Sequence, residues 1–244
     1  MNVEEYERMF RAEESHWWYA GMRAISASLL GLTPAEPGSR LLDAGCGTGN
    51  NLLHFSAGGP AVGVDVSADA VAFCRTRGVT VARGDVLALP FRDGCFHIVT
   101  SFDVLYHRWV TDDGAAVREF ARVLRPGGVL LLRVPALGLL WGAHDEAVQA
   151  RHRYTRGEVE ALLRGAGLGI VRATYANFFL LPLVALRRTL DRITSRDGSD
   201  LQDLPAPLDG IFRGLLSLEA RLVRRVSLPV GSSVVAVARK AAEG

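Results

Sequence analysis

The 244-residue chain is short of several things that would point outward from the cell or towards a polymer. It has three cysteines, Cys46, Cys74 and Cys95. They are odd in number and not in metal-ligand spacing, which excludes a disulfide framework and points to a reduced, cytoplasmic protein. No excess of either charge sign is present. Lys plus Arg number 28 against 26 for Asp plus Glu, a net charge of +2, so nothing calls for nucleic acid. The N-terminal stretch MNVEEYERMFRAEESHWW is charged and lacks an apolar signal core. The longest apolar run, FFLLPLVAL at 178–186, is too short to span a bilayer, although it could lie on one. Internal repeats and low-complexity tracts are missing too.

What is present is material for a core. Apolar residues make up 49% and charged residues 22%, enough for one large domain spanning 1–244. The chain is organised around LLDAGCGTGN at 41–50. Leu41 and Leu42 read as a buried strand with Asp43 at its carboxyl end. Gly45, Gly47 and Gly49 follow at every second position, where side chains would block a ligand's approach to the backbone. Leu52, Leu53 and Phe55 then resume a helical pattern. Strand, glycine loop and helix in this order make a nucleotide-type pocket at the carboxyl edge of a parallel sheet.

From residue 40 onward short apolar runs alternate with helical patterns. Strands are expected at 41–44, 61–66, 79–83, 96–102 and 128–135, with helices at about 50–57, 68–76 and 112–124. A sixth strand is expected at 168–175 and a seventh at 233–240. This predicts an α/β fold: a doubly wound, seven-stranded, mostly parallel, Rossmann-like sheet. Residues 1–37 read as an N-terminal helical cap of two helices split near Trp17, and 38–135 as the cofactor-binding core. Residues 136–154 read as loop. Thr155 and Glu158 form a capping box for the next helix. Between the last two strands, 176–231 reads as a helical insertion: an apolar helix with basic edges at 178–192, a polar linker at 194–207 and an amphipathic helix at 208–226.

Two loop geometries compete for the glycines. A dinucleotide G-x-G-x-x-G loop would need glycine at position 50, where Asn50 stands, so G-x-G-x-G fits better. Asp65 closes the second strand about twenty residues on, where a carboxylate can bind both hydroxyls of a ribose. Its alternative is simply to cap the helix that follows. Asp85 and Val86 follow the third strand, where a carboxylate can accept from the exocyclic amine of a base.

These residues resemble the class I S-adenosylmethionine-dependent methyltransferases, and EE-HWWY together with HDE-RHRYTRGEVEALLRGAG looks like their small-molecule subgroup. The resemblance covers about 38–135 and is carried by LLDAGCGTGNN, VGVDVS, GDV-ALPF, FHIVTSFDVLYH and RVLRPGGVLLL in order. It implies S-adenosyl-L-methionine as cofactor. Gly45, Gly47 and Gly49 would lie under its methionine part, Asp65 would hold its ribose hydroxyls, Asp85 and Val86 would read its adenine, and Ser101 or Phe102 would border its sulfonium, with Asp43 and Val66 as further cofactor-binding residues. His97 departs from the family pattern, which has Asp there, and is expected to alter packing or a hydrogen bond only.

A sulfonium methyl is already activated, so the protein mainly has to align an acceptor atom with it. A base helps when the acceptor is a hydroxyl, an ammonium or an acidic carbon. His107 and His144 are the expected catalytic groups, with His16 and His152 as further loop histidines. The His and acid spacing does not converge on a metal-ligand set. Trp17, Trp18, Tyr19, Tyr106, Asp145, Tyr154 and Phe178 are expected to meet the substrate. Trp17, Trp18 and Tyr19 have core packing as their alternative, and Asp145 an ion pair with Arg151 or Arg153. The expected reaction is methylation of a small apolar or aromatic acceptor at O, N or C, by a monomer or homodimer. The alternatives are a membrane-associated enzyme for a lipid or isoprenoid acceptor, using peripheral contact through 178–226, and a non-methylating cofactor-binding protein such as a cyclase.

Overall fold

A computed structural model describes residues 3–33, 36–56, 59–194 and 205–242. Two helices lead in, α1 (Val3–Ala12) and α2 (Trp17–Leu30). Then β1 (Leu41–Ala44), α3 (Asn50–Phe55), β2 (Ala61–Asp65), α4 (Ala68–Thr76), β3 (Val81–Arg83) and β4 (Phe96–Phe102) alternate. They are followed by α5 (Asp113–Val123) and β5 (Leu124–Pro135). Residues 136–154 are not the plain loop the sequence suggests. They hold a 3₁₀ turn (Gly138–Leu140) and the short helix α6 (Ala143–Ala147). The chain ends with α7 (Arg156–Gly165), β6 (Leu168–Ala176), α8 (Leu181–Thr194), α9 (Ala206–Leu222) and β7 (Ser233–Lys240). Most of the polar linker expected at 194–207 lies outside the described residues.

The sheet order is β3-β2-β1-β4-β5-β7-β6. The first five strands are parallel, and β7 runs antiparallel to both β5 and β6. This is the Rossmann-like arrangement that the alternating pattern implies. Neighbouring residues in a strand point to opposite faces, so Leu41 and Leu131 join one core layer while Leu42 and Leu130 join the other. The first layer is closed by Met22, Ile25 and Leu29 of α2 with Leu216 of α9 and its C-cap Val223. The second is closed by Val117 and Phe120 of α5 and Leu163 of α7.

Local chemistry fixes the ends. Ser67 caps α4 by accepting from the Ala70 N–H, and Asp112 caps α5 by accepting from Ala115. The capping box of Thr155 and Glu158 forms as expected. Lys240 Nζ donates to the carbonyls of Ala121 and Leu124, both at 2.8 Å, and so satisfies the end of α5 from the last strand. His97 Nδ1 accepts from the Arg40 N–H at 3.2 Å, a local bond away from the carboxyl edge. Among the described residues no helix is long and apolar enough to cross a membrane.

Candidate active site

The turn after β1 needs its glycines. Gly45, Gly47 and Gly49 have φ of 81°, 54° and 83°, a region that side chains avoid. A Cβ on Gly45 would come within 2.3 Å of Val104, and one on Gly47 would lie 3.0 Å from the Met9 methyl. A concave, side-chain-free backbone results. Asp65, at the end of β2, grips this turn. Its Oδ2 accepts from the Gly47 N–H and its Oδ1 from Ser67, both at 2.9 Å. Burial raises its carboxyl pKa, and those backbone donors oppose the rise.

Behind the turn, Asp43 is fully buried and accepts from the Thr100 hydroxyl at 2.7 Å. Burial pushes its carboxyl up to about 7. In front, α1 lies across the loop. Glu13 is buried, accepts from the Thr48 hydroxyl, and pairs with Arg77 at 3.2 Å. Arg77 also stacks on Phe10, 4.2 Å from the ring centre. Burial pushes the Glu13 carboxyl up to about 7. The folded chain therefore holds a proton that the unfolded chain releases between pH 4.5 and about 7. That group's contribution to stability weakens as pH rises through the window. The variant E13Q is expected to flatten the fall in melting temperature between about pH 5 and about pH 7.5. An unaltered slope would mean that Glu13 titrates as an ordinary carboxylate.

One cavity of about 320 Å³ joins this cradle to the segments at the carboxyl edge. Gly45, Gly47 and Asp65 border it on one side; Trp17, Trp18, Tyr19, Tyr106, His107, His144 and Asp145 border it elsewhere. Ten of the residues singled out from sequence thus meet at one place. His107 Nδ1–H donates to the Val148 carbonyl at 2.9 Å, which leaves Nε2 as the acceptor. Burial lowers its pKa to about 4, so the ring is neutral at neutral pH. It stacks on Trp109 with centres 4.5 Å apart.

Other expected site residues do not border this cavity. Ser101 is fully buried and donates its hydroxyl to the Ala44 carbonyl at 3.0 Å, binding β4 to β1. Tyr154 is a core residue whose hydroxyl donates to Asp113 at 2.7 Å and to the Leu105 carbonyl at 3.1 Å. Phe178 packs on the α2–α9 core layer. Gly49 serves as the N-cap of α3, packed close to Val79 and Cys74. Asp43 supports the loop from behind. Val66 is exposed, Val86 is buried in the core, and Asp85 is exposed and accepts from the Leu87 N–H at 2.9 Å. Asp145 borders the cavity, but its carboxylate is committed to Arg153, at 2.8 and 3.0 Å. This is the ion-pair alternative, with Arg153 rather than Arg151.

Sequence reasoning missed Glu13, Asp103, Arg133 and Asn177, all of which border the cavity. Asp103 follows β4 with a φ of 55°, and Arg133 near the end of β5 grips it through two bonds of 2.9 and 2.6 Å. The Arg133 guanidinium also lies 5.2 Å from the Trp18 ring centre. Three of the four stand at or just past the ends of α1, β4 and β6, and Arg133 stands two residues inside the end of β5. The carboxyl-edge rule that selected Asp65 would have found Asp103 and Asn177 as well.

Residues 42–132 match the family model of a methyltransferase domain. The malonyl-[acyl-carrier protein] O-methyltransferase of Pectobacterium atrosepticum is 36% identical over 125 residues, 48% of this chain and 47% of that protein. The Bos taurus protein named probable tRNA methyltransferase 9B is 39% identical over 107 residues, 43% of this chain and 23% of that one. The chain spans less than half the length of these relatives. A methyltransferase in complex with the Haloferax volcanii Trm112 activator shares the fold, with a TM-score of 0.66 and 19% identity over 99% of this chain and 96% of that one. Residues 42–132 thus match a methyltransferase domain, and the chain as a whole shares its fold with S-adenosylmethionine-dependent methyltransferases.

Proposed function

We propose that the chain methylates a small, apolar or aromatic acceptor held in the cavity in front of the glycine turn. One observation carries this reading: a single cavity runs from the Gly45–Gly47 cradle and Asp65 to a wall of Trp17, Trp18, Tyr19 and Tyr106. The cradle suits S-adenosylmethionine, because its bare backbone leaves room that a Cβ would fill. When bound, that cofactor supplies a sulfonium methyl open to in-line displacement. Gly45 and Gly47 would border its methionine part, Asp65 its ribose hydroxyls, and Asp85 with Val86 its adenine. The aromatic side chains exclude water and orient the acceptor. The Nε2 atom of neutral His107 accepts a hydrogen bond from it, and His144 is the second candidate to take a proton. The near-neutral net charge supports a small acceptor over a nucleic acid.

The test is transfer of labelled methyl from S-adenosylmethionine to a panel of phenols, arylamines and aromatic acids. Product from an apolar aromatic member is the expected outcome, reduced at least tenfold, on the order of 1.4 kcal/mol, in W18A. Tight cofactor binding with no transfer to any member would favour the non-methylating alternative.

A membrane-recruited version of the same reaction has one observation in its favour. Leu183, Leu186 and Leu190 form an exposed stripe on α8, each about half accessible, and Val184 on the next face borders the cavity. Co-sedimentation with anionic vesicles, abolished by L186D, separates this reading from the first.

A further inference from the structure

Asn177 follows β6 directly and is 1% exposed. Its φ of 62° is a conformation that few residues other than glycine adopt, although Asn tolerates it. Such strain persists only where the surroundings enforce it. Here the enforcing group is Glu219 of α9, itself fully buried. Its carboxylate accepts the backbone N–H groups of three successive residues: Asn177 at 2.5 Å, Phe178 at 2.9 Å and Phe179 at 3.4 Å. Asn177 borders the cavity, and its side chain donates through Nδ2 to Ser232 Oγ at 2.8 Å. Its Oδ1 is buried and has no hydrogen-bond partner among the described residues.

The same is true of one donor. Trp17 borders the cavity, and its buried Nε1–H lacks a hydrogen-bond partner among the described residues. Its ring packs edge-on against Phe212, centres 5.0 Å apart. Phe212 and Glu219 stand about two turns apart on α9. One helix therefore supports both an orphaned acceptor and an orphaned donor in the cavity wall. Buried polar groups are nearly always satisfied, so two that are not in one binding cavity point to a ligand that satisfies them.

We infer that Asn177 reads a hydroxyl group on the acceptor molecule, with Glu219 as its positioning residue. A hydroxyl can donate to Oδ1, whereas an apolar group there would leave that oxygen unpaired, and the Trp17 indole offers a further donor to the same ligand. The inference rests on the methyltransferase reading, and it narrows the acceptor to a hydroxylated apolar molecule.

The full chain saturated with S-adenosylhomocysteine, which cannot donate a methyl, provides the test. The probes are 4-ethylphenol and 4-ethyltoluene, which differ only in hydroxyl against methyl. Calorimetry should show the phenol binding about tenfold or more tighter, the worth of one well-made buried hydrogen bond. N177G keeps the backbone conformation without strain. It should bind both probes equally and bind S-adenosylhomocysteine as the parent does, while N177D, which keeps an acceptor oxygen, should retain the preference. Equal binding of the two probes by the parent, no binding of either, or an undiminished preference in N177G overturns the inference. Failure of the parent to bind S-adenosylhomocysteine strikes instead at the methyltransferase reading.

Discussion

Replacing Asp65 by alanine is expected to weaken S-adenosylmethionine binding by at least about a hundredfold, read by calorimetry. Each carboxylate oxygen already accepts one backbone N–H, from Gly47 and from Ser67, and keeps a lone pair for a ribose hydroxyl. Hydrogen bonds to a charged group are worth about 1.5–3 kcal/mol each, and two of them give roughly 3 kcal/mol or more. Alanine also releases the Gly47 N–H and loosens the turn that the cofactor must meet. D65N, which keeps the shape and loses the charge, should fall between the two. Unchanged affinity in D65A would mean that the cofactor is held elsewhere, and the assignment of the cradle would fail.

The second large effect concerns folding. Arg153→Leu is expected to lower unfolding free energy by about 3–5 kcal/mol in urea titrations, because it leaves a buried charge uncompensated. The Asp145 side chain is 2% exposed and that of Arg153 is 7% exposed. Asp145 also accepts from the Gly142 N–H at 2.9 Å, and Arg153 donates to the Ala136 carbonyl at 3.1 Å. The pair fastens α6 to the end of β5 and shapes the cavity floor. Removing both charges, in D145L/R153L, should recover much of the loss, since paired burial gains little over apolar packing. A single-variant cost below about 1 kcal/mol would place the pair among ordinary surface bridges.

The sheet and the glycine turn with Asp65 beside it were legible because their signals are local. Glycines at alternate positions after a short apolar run admit few structures, and a carboxylate at the next strand end falls on the same edge by topology alone. The acceptor side was legible only in outline. Trp17, Trp18 and Tyr19 stood out by size. Asp103 and Arg133, by contrast, look like strand-end and strand residues until β4 and β5 pair and bring them within 2.6 Å. The core bond of Tyr154 was not legible, because its partner, Asp113, lies 41 residues earlier at the start of α5. The bond from Ser101 to Ala44 was not legible either, because a hydroxyl at a strand end can serve the neighbouring strand as readily as a ligand. Asn177 depends on Glu219, and no spacing rule links a turn to a carboxylate 42 residues later.

Helix α1 presents Tyr6 and Met9 to the cavity, with Glu13 just past its end, over the turn that would carry the methionine part of the cofactor. It is fastened at its far end by Arg77 and Thr48. A cofactor bound on the glycine turn would lie beneath that segment, and its release would require the segment to move. Cofactor residence time would then follow the strength of the Arg77–Glu13 clasp, and exchange between turnovers would set the pace for any acceptor that reacts quickly.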